Sequence, residues 1–451
     1  MLIKGKFDCT KPIEKLEYSF LVETEIKEIE FKIKNGPFQH VIIQIEDSNG
    51  KYRALTSFKT FEKTYCISED RERTSNCCIA GNIPSGEWKV RFLKNYIVDS
   101  EFEVEILENR EITNENSNFK EIVLNEKFES KKEWYFGELH NHTRVSDGQI
   151  SLEELEKEII EKKLDFIFPT EHNSVLTKYP NINIPVIPST ELTLDDLGHF
   201  NFFGLKEFID YYSLVEEGEK KEESLRKIFD RVKEIGGYIS LNHPFHNSRK
   251  MPLGLMYDIE LKYLDFLEVI NSPTSNGRNP YYDKKALETL DILWCNGYKI
   301  FAVSGSDNHG MIIGDPLNYV KLDEYSTKNI LETFKKGRCY VSRIGELELE
   351  YKNNGRVVYP GEEVEGKVEI KVRGKENLIW KVIKNNKVIE TVIGNEIITE
   401  QVVNEKEYLR IEATDIEHEI FAVINPIYNS IEKIEPQIKK WFEIKDSIWR
   451  E

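Results

Sequence analysis

The first 125 residues alternate apolar and polar positions in short runs. "FLVETEIKEIEFKIK", "HVIIQIED", "EWKVRFLK" and "SEFEVEIL" are rich in β-branched and aromatic residues, and polar or Gly/Pro breaks ("NGP", "DSNG", "IPSG") separate them. Period-two runs bounded by turn residues predict strands. Their even spacing with no helix between them predicts a β-sandwich over residues 1–125, with the polar stretch 108–121 as a linker. Near residue 133 the period changes. "SLEELEKEIIEKK" (151–163) places apolar residues at helical spacing, and Ser151 with Glu154 forms a capping-box pattern at its start. "LDFIFPT" then reads as a buried strand. The helical "KEESLRKIFDRVKEIGG" leads into "YISLN", and "YLDFLEVIN" follows as another strand. "YDKKALETLDILWCNG" leads into "KIFAVSGS", and "STKNILETFKKG" into "RCYVS". Strands alternating with helices predict an α/β domain over 133–345, with parallel strands joined by crossover helices and a barrel favoured over an open sheet. From 346 strand-like runs return ("GELELEYK", "KVEIKV", "IWKVIKN", "YLRIEATD", "IFAVIN"). They predict a small β-domain over 346–451, ending in a helical tail broken at Pro436.

Composition narrows the class. At 451 residues the chain has room for two or three domains of about 150 residues each. The formal net charge of −18 repels a phosphate backbone, so broad nucleic-acid binding is excluded. A bound metal can still reverse the potential of one pocket. No apolar stretch approaches the ~20 residues that span a bilayer, and "MLIKGKFDCTKPIEKLEYSF" lacks the apolar run of a signal peptide. The expected location is therefore cytoplasmic, away from any membrane. Cys9, Cys66, Cys77, Cys78, Cys295 and Cys339 form no CxxC pair and read as reduced thiols.

The candidate chemistry lies between 140 and 309, which holds seven of the nine histidines: His140, His142, His172, His199, His243, His246 and His309. His140 and His142 close the strand-like "WYFGELHNH", and residues two apart on a strand share a face. His172 follows "LDFIFPTE", Glu191 follows "IPVIPST", His243 follows "YISLN", and Asp307 and His309 follow "IFAVSGS". Taken singly, each has a bland account. A histidine after a strand is usually a satisfied polar residue, and Asp147-Gly148 is usually a turn. Together they fall at the carboxyl ends of predicted parallel strands, which converge on one rim of an α/β barrel. Imidazole and carboxylate donors without thiolate suit Zn, Mn or Fe. There are more donors than one ion takes. A bridging carboxylate holding ions about 3.5–4 Å apart accounts for the surplus.

These residues also carry a family resemblance. "EWYFGELHNHTRVSDG" resembles the opening H-x-H segment of the PHP (polymerase and histidinol phosphatase) superfamily, in particular its CehA/McbA-like metallohydrolase branch. "TEHN" (170–173) resembles the second motif, with Glu171 where aspartate is commoner. "TEL" with Glu191 and "GHFNFFG" with His199 resemble the third region, and "NHP" (242–244) and "GSDNHG" (305–310) the last two. The resemblance covers 133–345 and implies a distorted (β/α)7 barrel with two or three divalent metal ions. It implies that His140, His142, Glu191 and Asp307 hold the first ion. Glu191 would bridge to a second ion held by His199 and His243, and Asp147, His172 and His309 would hold a third. Elsewhere in the superfamily a histidine often occupies the position of Asp147.

The expected activity is hydrolysis of a small phosphate mono- or diester, with a nucleotide or cyclic phosphodiester among the options, by a hydroxide held between metals. Asp307 would steer that hydroxide. His246 would protonate the leaving group or bind phosphate, unless it is a loop residue. Arg144, Arg278 and Arg338 are candidate phosphate clamps, since guanidinium suits bidentate contact, and each is otherwise a surface charge or part of an ion pair. Asn271, ending "FLEVIN", points to the same rim. Two other readings stay open: hydrolysis of a carbamate, ester or amide by the same centre, and a non-catalytic binding or scaffold protein. The oligomeric state and the role of the flanking β-segments are not legible in the sequence.

Overall fold

A computed structural model describes residues 1–34, 41–58, 62–94, 100–112, 118–129, 132–194, 198–246, 254–272, 280–310 and 313–449. The period-two segments of the amino-terminal part form two four-stranded antiparallel sheets. One has the order Leu2–Phe7, Ser100–Asn109, Glu28–Lys34, Glu62–Ser68; the other Glu14–Val22, Gly86–Lys94, Val41–Glu46, Tyr52–Phe58. Their facing sides bury one cluster that includes Phe7, Phe20, Phe31, Trp88, Phe92 and Phe102. The rings of Phe92 and Phe102 lie 4.6 Å apart, so interdigitated aromatics hold the sheets together. Within the stretch expected to be a linker, Phe119–Glu121 is a short strand paired with Lys178–Pro180.

From residue 134 the strand pairings run in a ring. Trp134–Glu138 pairs in parallel with Phe166–Ile167. Single bridges, Ile167 to Val186 and His172 to Glu191, lead on to Ser189–Thr193. That strand pairs with His199–Phe203, then come Tyr238–Leu241, Phe266–Asn271 and Phe301–Gly305. A parallel bridge from Asn308 to Asn141 returns to the end of the first strand. The fold is thus mixed α/β, and it departs from the regular alternation expected over 133–345. His199–Phe203 runs antiparallel to both neighbours. The cause is the short connection before it: a parallel return needs a crossover of a dozen residues or more, whereas only five residues separate Thr193 from His199. The strand expected at "LDFIFPT" is paired over Phe166–Ile167 alone.

Three long helices connect ring strands: Leu152–Lys162, Lys221–Glu234 and Pro280–Cys295. The first begins where its sequence says. The Ser151 hydroxyl accepts from Glu154 N at 3.2 Å, and Glu154 Oε2 accepts from Ser151 N at 2.7 Å. None of the described helices is long and apolar enough to cross a membrane.

The strands after 346 extend a sheet that starts in the ring. Leu317–Lys321 pairs with Trp134–Glu138, Cys339–Ser342 with Leu317–Lys321, and Ile420–Asn429 with Cys339–Ser342. Glu407–Thr414, Gly366–Lys384 and the remaining strands continue outward. The tail is helical over Trp441–Trp449, with a separate 3-10 turn at Ile431–Lys433 before Pro436. A buried ion pair locks the late strands to the ring. Arg410 Nε and Nη2 donate to Asp291 of the helix Pro280–Cys295 at 2.7 and 2.6 Å, and Tyr408 OH donates to the same carboxylate at 2.8 Å. Removing one partner strands the other charge in the interior. Arg410→Leu is expected to lower unfolding free energy by about 3–5 kcal/mol in a urea titration, and an unchanged midpoint would show that the pair does not hold this junction.

Candidate metal centre

The ring gathers all nine residues named as ligands into three overlapping groups. These are His142, Asp147, His172 and His309; His140, His142, Glu191 and Asp307; and Glu191, His199 and His243. Within each group, one ligand atom per residue lies within 4.8 Å of the others. Strand geometry explains the convergence. His140 and His142 extend past Trp134–Glu138 on one face, while Asn141 turns away and donates to Phe168 O at 2.8 Å. Glu191 lies opposite Asn201 and His199 opposite Thr193 in one antiparallel pair, so Glu191 and His199 are diagonal neighbours. His243 follows Tyr238–Leu241, and Asp307 follows Phe301–Gly305.

Glu191 is the hub. Its Oε1 lies 3.2 Å from His140 Nε2, 3.3 Å from His199 Nδ1 and 3.4 Å from His243 Nε2. Its Oε2 lies 3.3 Å from His142 Nε2 and 3.1 Å from His172 Nδ1. Asp307 Oδ1 is 3.4 Å from His140 Nε2 and 3.2 Å from His142 Nε2. Asp147 Oδ1 is 3.4 Å from His172 Nε2 and 3.3 Å from His309 Nε2. Despite these approaches, His140 Nε2, both His142 nitrogens, His199 Nε2, His243 Nδ1 and Glu191 Oε2 are buried without a hydrogen-bond partner among the described residues. Leaving so many buried polar atoms unsatisfied costs about 1–3 kcal/mol each. A converging nitrogen and oxygen donor set with that deficit fits divalent metal ions.

Electrostatics agree. Burial alone would raise the pKa of Glu191, but His140, His199 and His172 outweigh it and hold the carboxyl well below its usual range. Asp307 is likewise lowered: burial opposes ionisation, and His140, His142, His309 and His243 overcome it. The converse holds for the imidazoles. Burial works against charge on His140, yet Glu191, Asp307 and Glu268 push its pKa well above the ordinary value. His309 rises to about 9, its burial outweighed by Asp147 and Asp307. Without metal, protons on His140 and His309 offset part of the carboxylate charge.

Three buried carboxylates, none of them named from the sequence as site residues, set the geometry. Glu268 Oε1 accepts from His140 Nδ1 at 2.9 Å, which turns Nε2 into the site, where losing its proton would free a lone pair for a metal. Its Oε2 accepts from His243 N at 2.9 Å and Asn271 Nδ2 at 3.0 Å. Glu138 accepts from the backbone N–H groups of His140 and Ser306 at 3.0 Å and of Gly314 at 2.8 Å, pinning two ligand-bearing strand ends. Glu171 accepts from the N–H and hydroxyl groups of Thr143 and Ser146, fixing the loop before Asp147. A legible signal existed for Glu268, the one charged residue of the strand Phe266–Asn271, flanked by Phe266, Leu267, Val269 and Ile270.

The backbone is strained at the same strand ends. His243 has φ 26° and Asp307 φ 47°, both in the left-handed region that costs a non-glycine residue energy. Gly305 is required by contact: a Cβ there would lie 2.1 Å from His140 Cβ. Gly148 is more than a turn residue, since a Cβ would lie 2.5 Å from His142 O.

The other named residues separate. Asn271 Nδ2 reaches Asp307 Oδ2 at 3.4 Å and so sits at the cluster. His246 stacks on Tyr282 at 6.0 Å and meets His243 edge-on at 6.0 Å. With His243, Glu268, Asn271 and Asp283 they line a small cavity of about 10 Å³. Arg144 instead donates to Gln149 O at 2.7 Å and pairs with Glu154 at 3.5 Å. Arg338 pairs with Asp323 and Glu362, each at 3.2 Å. Arg278 lies outside the described residues.

No family model matches the chain, and no curated protein matches it. Among solved structures, it is similar to a two-domain protein from Bacteroides vulgatus containing a "predicted PHP-like metal-dependent phosphoesterase". The identity is 16% and the TM-score 0.37, over 70% of this chain and 97% of that one. It is also similar to a "putative metal-dependent phosphoesterase" from Bifidobacterium adolescentis, at 15% identity and a TM-score of 0.29, over 44% of this chain and 94% of that one.

Two outcomes follow from the site's own geometry. Glu268→Gln keeps the side-chain size but weakens the hold on His140, so metal affinity is expected to fall about 10–100-fold in a competition titration. An unaltered affinity would remove Glu268 from the site's support. Metal uptake at pH 7 is expected to release protons, because His140 and His309 carry them in the metal-free protein. Affinity for the group containing His309 should therefore rise with pH and level off above about 9. Calorimetry in buffers of different ionisation enthalpy measures the release, and zero release at pH 7 would contradict the assignment.

Proposed function

We propose that the chain is a metal-dependent hydrolase of the PHP type that cleaves a small phosphate mono- or diester, with two or three divalent ions (Zn, Mn or Fe) as cofactors. In this reading the ring of strands within 133–345 is the distorted seven-stranded PHP barrel, flanked by β-rich regions over 1–125 and 346–451. The observation that carries it is corner-sharing among the ligand groups. Glu191 belongs to two of them, and one carboxylate can bridge two ions and hold both against a single substrate.

Bound divalent ions supply a water of lowered pKa and neutralise charge developing on phosphoryl oxygens. The protein's own part is orientation. Asp307 Oδ1 faces His140 and His142 while its Oδ2 accepts from Asn271, so this carboxylate is aimed into the centre and would steer an attacking water by hydrogen bonding. His246, on the rim beside His243 and braced against Tyr282, is placed to protonate a leaving alkoxide.

A second reading, hydrolysis of a carbamate, ester or amide, draws on the placement of Arg144 and Arg338. Both are held by carboxylates outside the cluster, and a neutral carbonyl substrate has no need of them. Rates on p-nitrophenyl phosphate, bis-p-nitrophenyl phosphate and p-nitrophenyl acetate, measured side by side, rank the two. Phosphoester turnover is expected to dominate, and acetate turnover alone would select the carbonyl reading. His142→Ala and Asp307→Asn are each expected to lower the rate by about 10²–10³-fold or more while the far-ultraviolet circular dichroism is retained. A folded Asp307→Asn protein with the parent rate would overturn the mechanism.

A further inference from the structure

The seam between the amino-terminal sandwich and the ring runs directly behind one of the three ligand groups. Lys63, on the strand Glu62–Ser68, crosses it. Its ammonium donates to Val145 O and, at 3.0 Å, to Ser146 O, the two carbonyls just ahead of Asp147. Ser57, on Tyr52–Phe58, donates from Oγ to His172 O at 2.7 Å, and its N–H donates to Ser174 Oγ at 3.1 Å. Thr56 Oγ1 lies 3.1 Å from the same Ser174 hydroxyl. The sandwich therefore touches the backbone supports of two ligands, Asp147 and His172, that share one group with His142 and His309.

The loop 143–148 is held from two sides by opposite charges. On the ring side the Glu171 carboxylate accepts from the N–H groups of Thr143 and Ser146. On the sandwich side the Lys63 ammonium takes the carbonyls of Val145 and Ser146. An anion on the donors and a cation on the acceptors leave this short loop little freedom. Burial lowers the pKa of Lys63, and Cys77 with the Glu171 and Asp147 carboxylates acts the other way without cancelling it. Glu191, His140, His199 and His243 have no such support from the sandwich among the described contacts.

We infer that Lys63 and Ser57 of the amino-terminal sandwich are positioning residues for the third metal site, holding Asp147 and His172 so that this site, and not the other two, depends on the seating of the sandwich. The inference rests on the proposed multinuclear centre and adds a device that the 133–345 segment does not contain. Outer supports of metal ligands typically change affinity by about 10–100-fold.

The test is a Zn or Mn titration of the metal-free full-length chain by calorimetry, with elemental analysis at saturation. It compares the parent, Lys63→Met, Ser57→Ala and Lys63→Arg. The parent is expected to take up three equivalents. In Lys63→Met and Ser57→Ala one equivalent should weaken about 10–100-fold while the other two keep their affinity, and Lys63→Arg should restore part of the loss. Thermal unfolding of the metal-free proteins checks the fold. If Lys63→Met does not fold, the Ser57→Ala isotherm decides by the same criterion. Unchanged three-step isotherms in the variants overturn the inference alone. An equal weakening of every equivalent with a lower unfolding temperature overturns it too, as a general structural effect. A parent that binds no third equivalent at any metal concentration overturns the trinuclear centre and this inference with it.

Discussion

One buried carboxylate organises the interior of this protein. Glu191 has no exposed surface, and five imidazoles lie within 3.4 Å of its two oxygens. A carboxylate in that position cannot be hydrated, so it is stable only with positive charge around it. The strands that deliver the imidazoles must end on it together, which explains why the ring closes through isolated bridges such as His172 to Glu191 and Asn308 to Asn141. Protons or divalent metal ions can supply the charge. The arrangement therefore couples fold and chemistry: what neutralises Glu191 also sets the spacing of the strand ends.

Around this hub, three further carboxylates convert backbone and side-chain donors into fixed positions. Glu138 and Glu171 act largely on N–H groups, and Glu268 acts on an imidazole and an amide. They allow strained conformations to persist. Asp307 stays at φ 47° because its N–H donates to His140 O at 2.8 Å, and His243 at φ 26° because its N–H donates to Glu268. The sandwich contributes through its seam with the ring, where Thr177 also donates to Asn76 O and Cys78 O. The two β-rich flanks thus differ in kind. The amino-terminal one abuts the ligand loops, while the carboxyl-terminal strands continue a sheet begun in the ring.

Much of this was readable along the chain. Ser151 and Glu154 announce a helix start by local hydrogen bonding alone, so tertiary structure was not needed to place it. Period-two patterning marked the strands of the sandwich, since burial of one face is a local property of a strand. The histidines and acids at strand ends also stood out, because their spacing relative to apolar runs is set by sequence. The reversed strand His199–Phe203 was not read, although the short link before it carries the cause. Arg144 and Arg338 were read as candidate phosphate clamps or else as surface charges or ion pairs, and the structure places both in ion pairs. Their partners, Glu154 for the one and Asp323 and Glu362 for the other, are local or distant carboxylates that only coordinates reveal.

By itself the sequence determined the donor inventory: imidazoles and carboxylates without thiolate, carried on elements whose types follow from hydrophobic period. The tertiary structure alone decided which donors converge, because Glu191 and His142 join groups whose members lie up to about 170 residues apart. It alone revealed Glu268 as the support of His140 and Lys63 as the support of the Asp147 loop. Each acts across a contact of more than 80 residues in sequence. The physical reason is the same in every case. Amphipathic pattern and capping are short-range, whereas satisfying a buried charge depends on whatever the fold brings next to it.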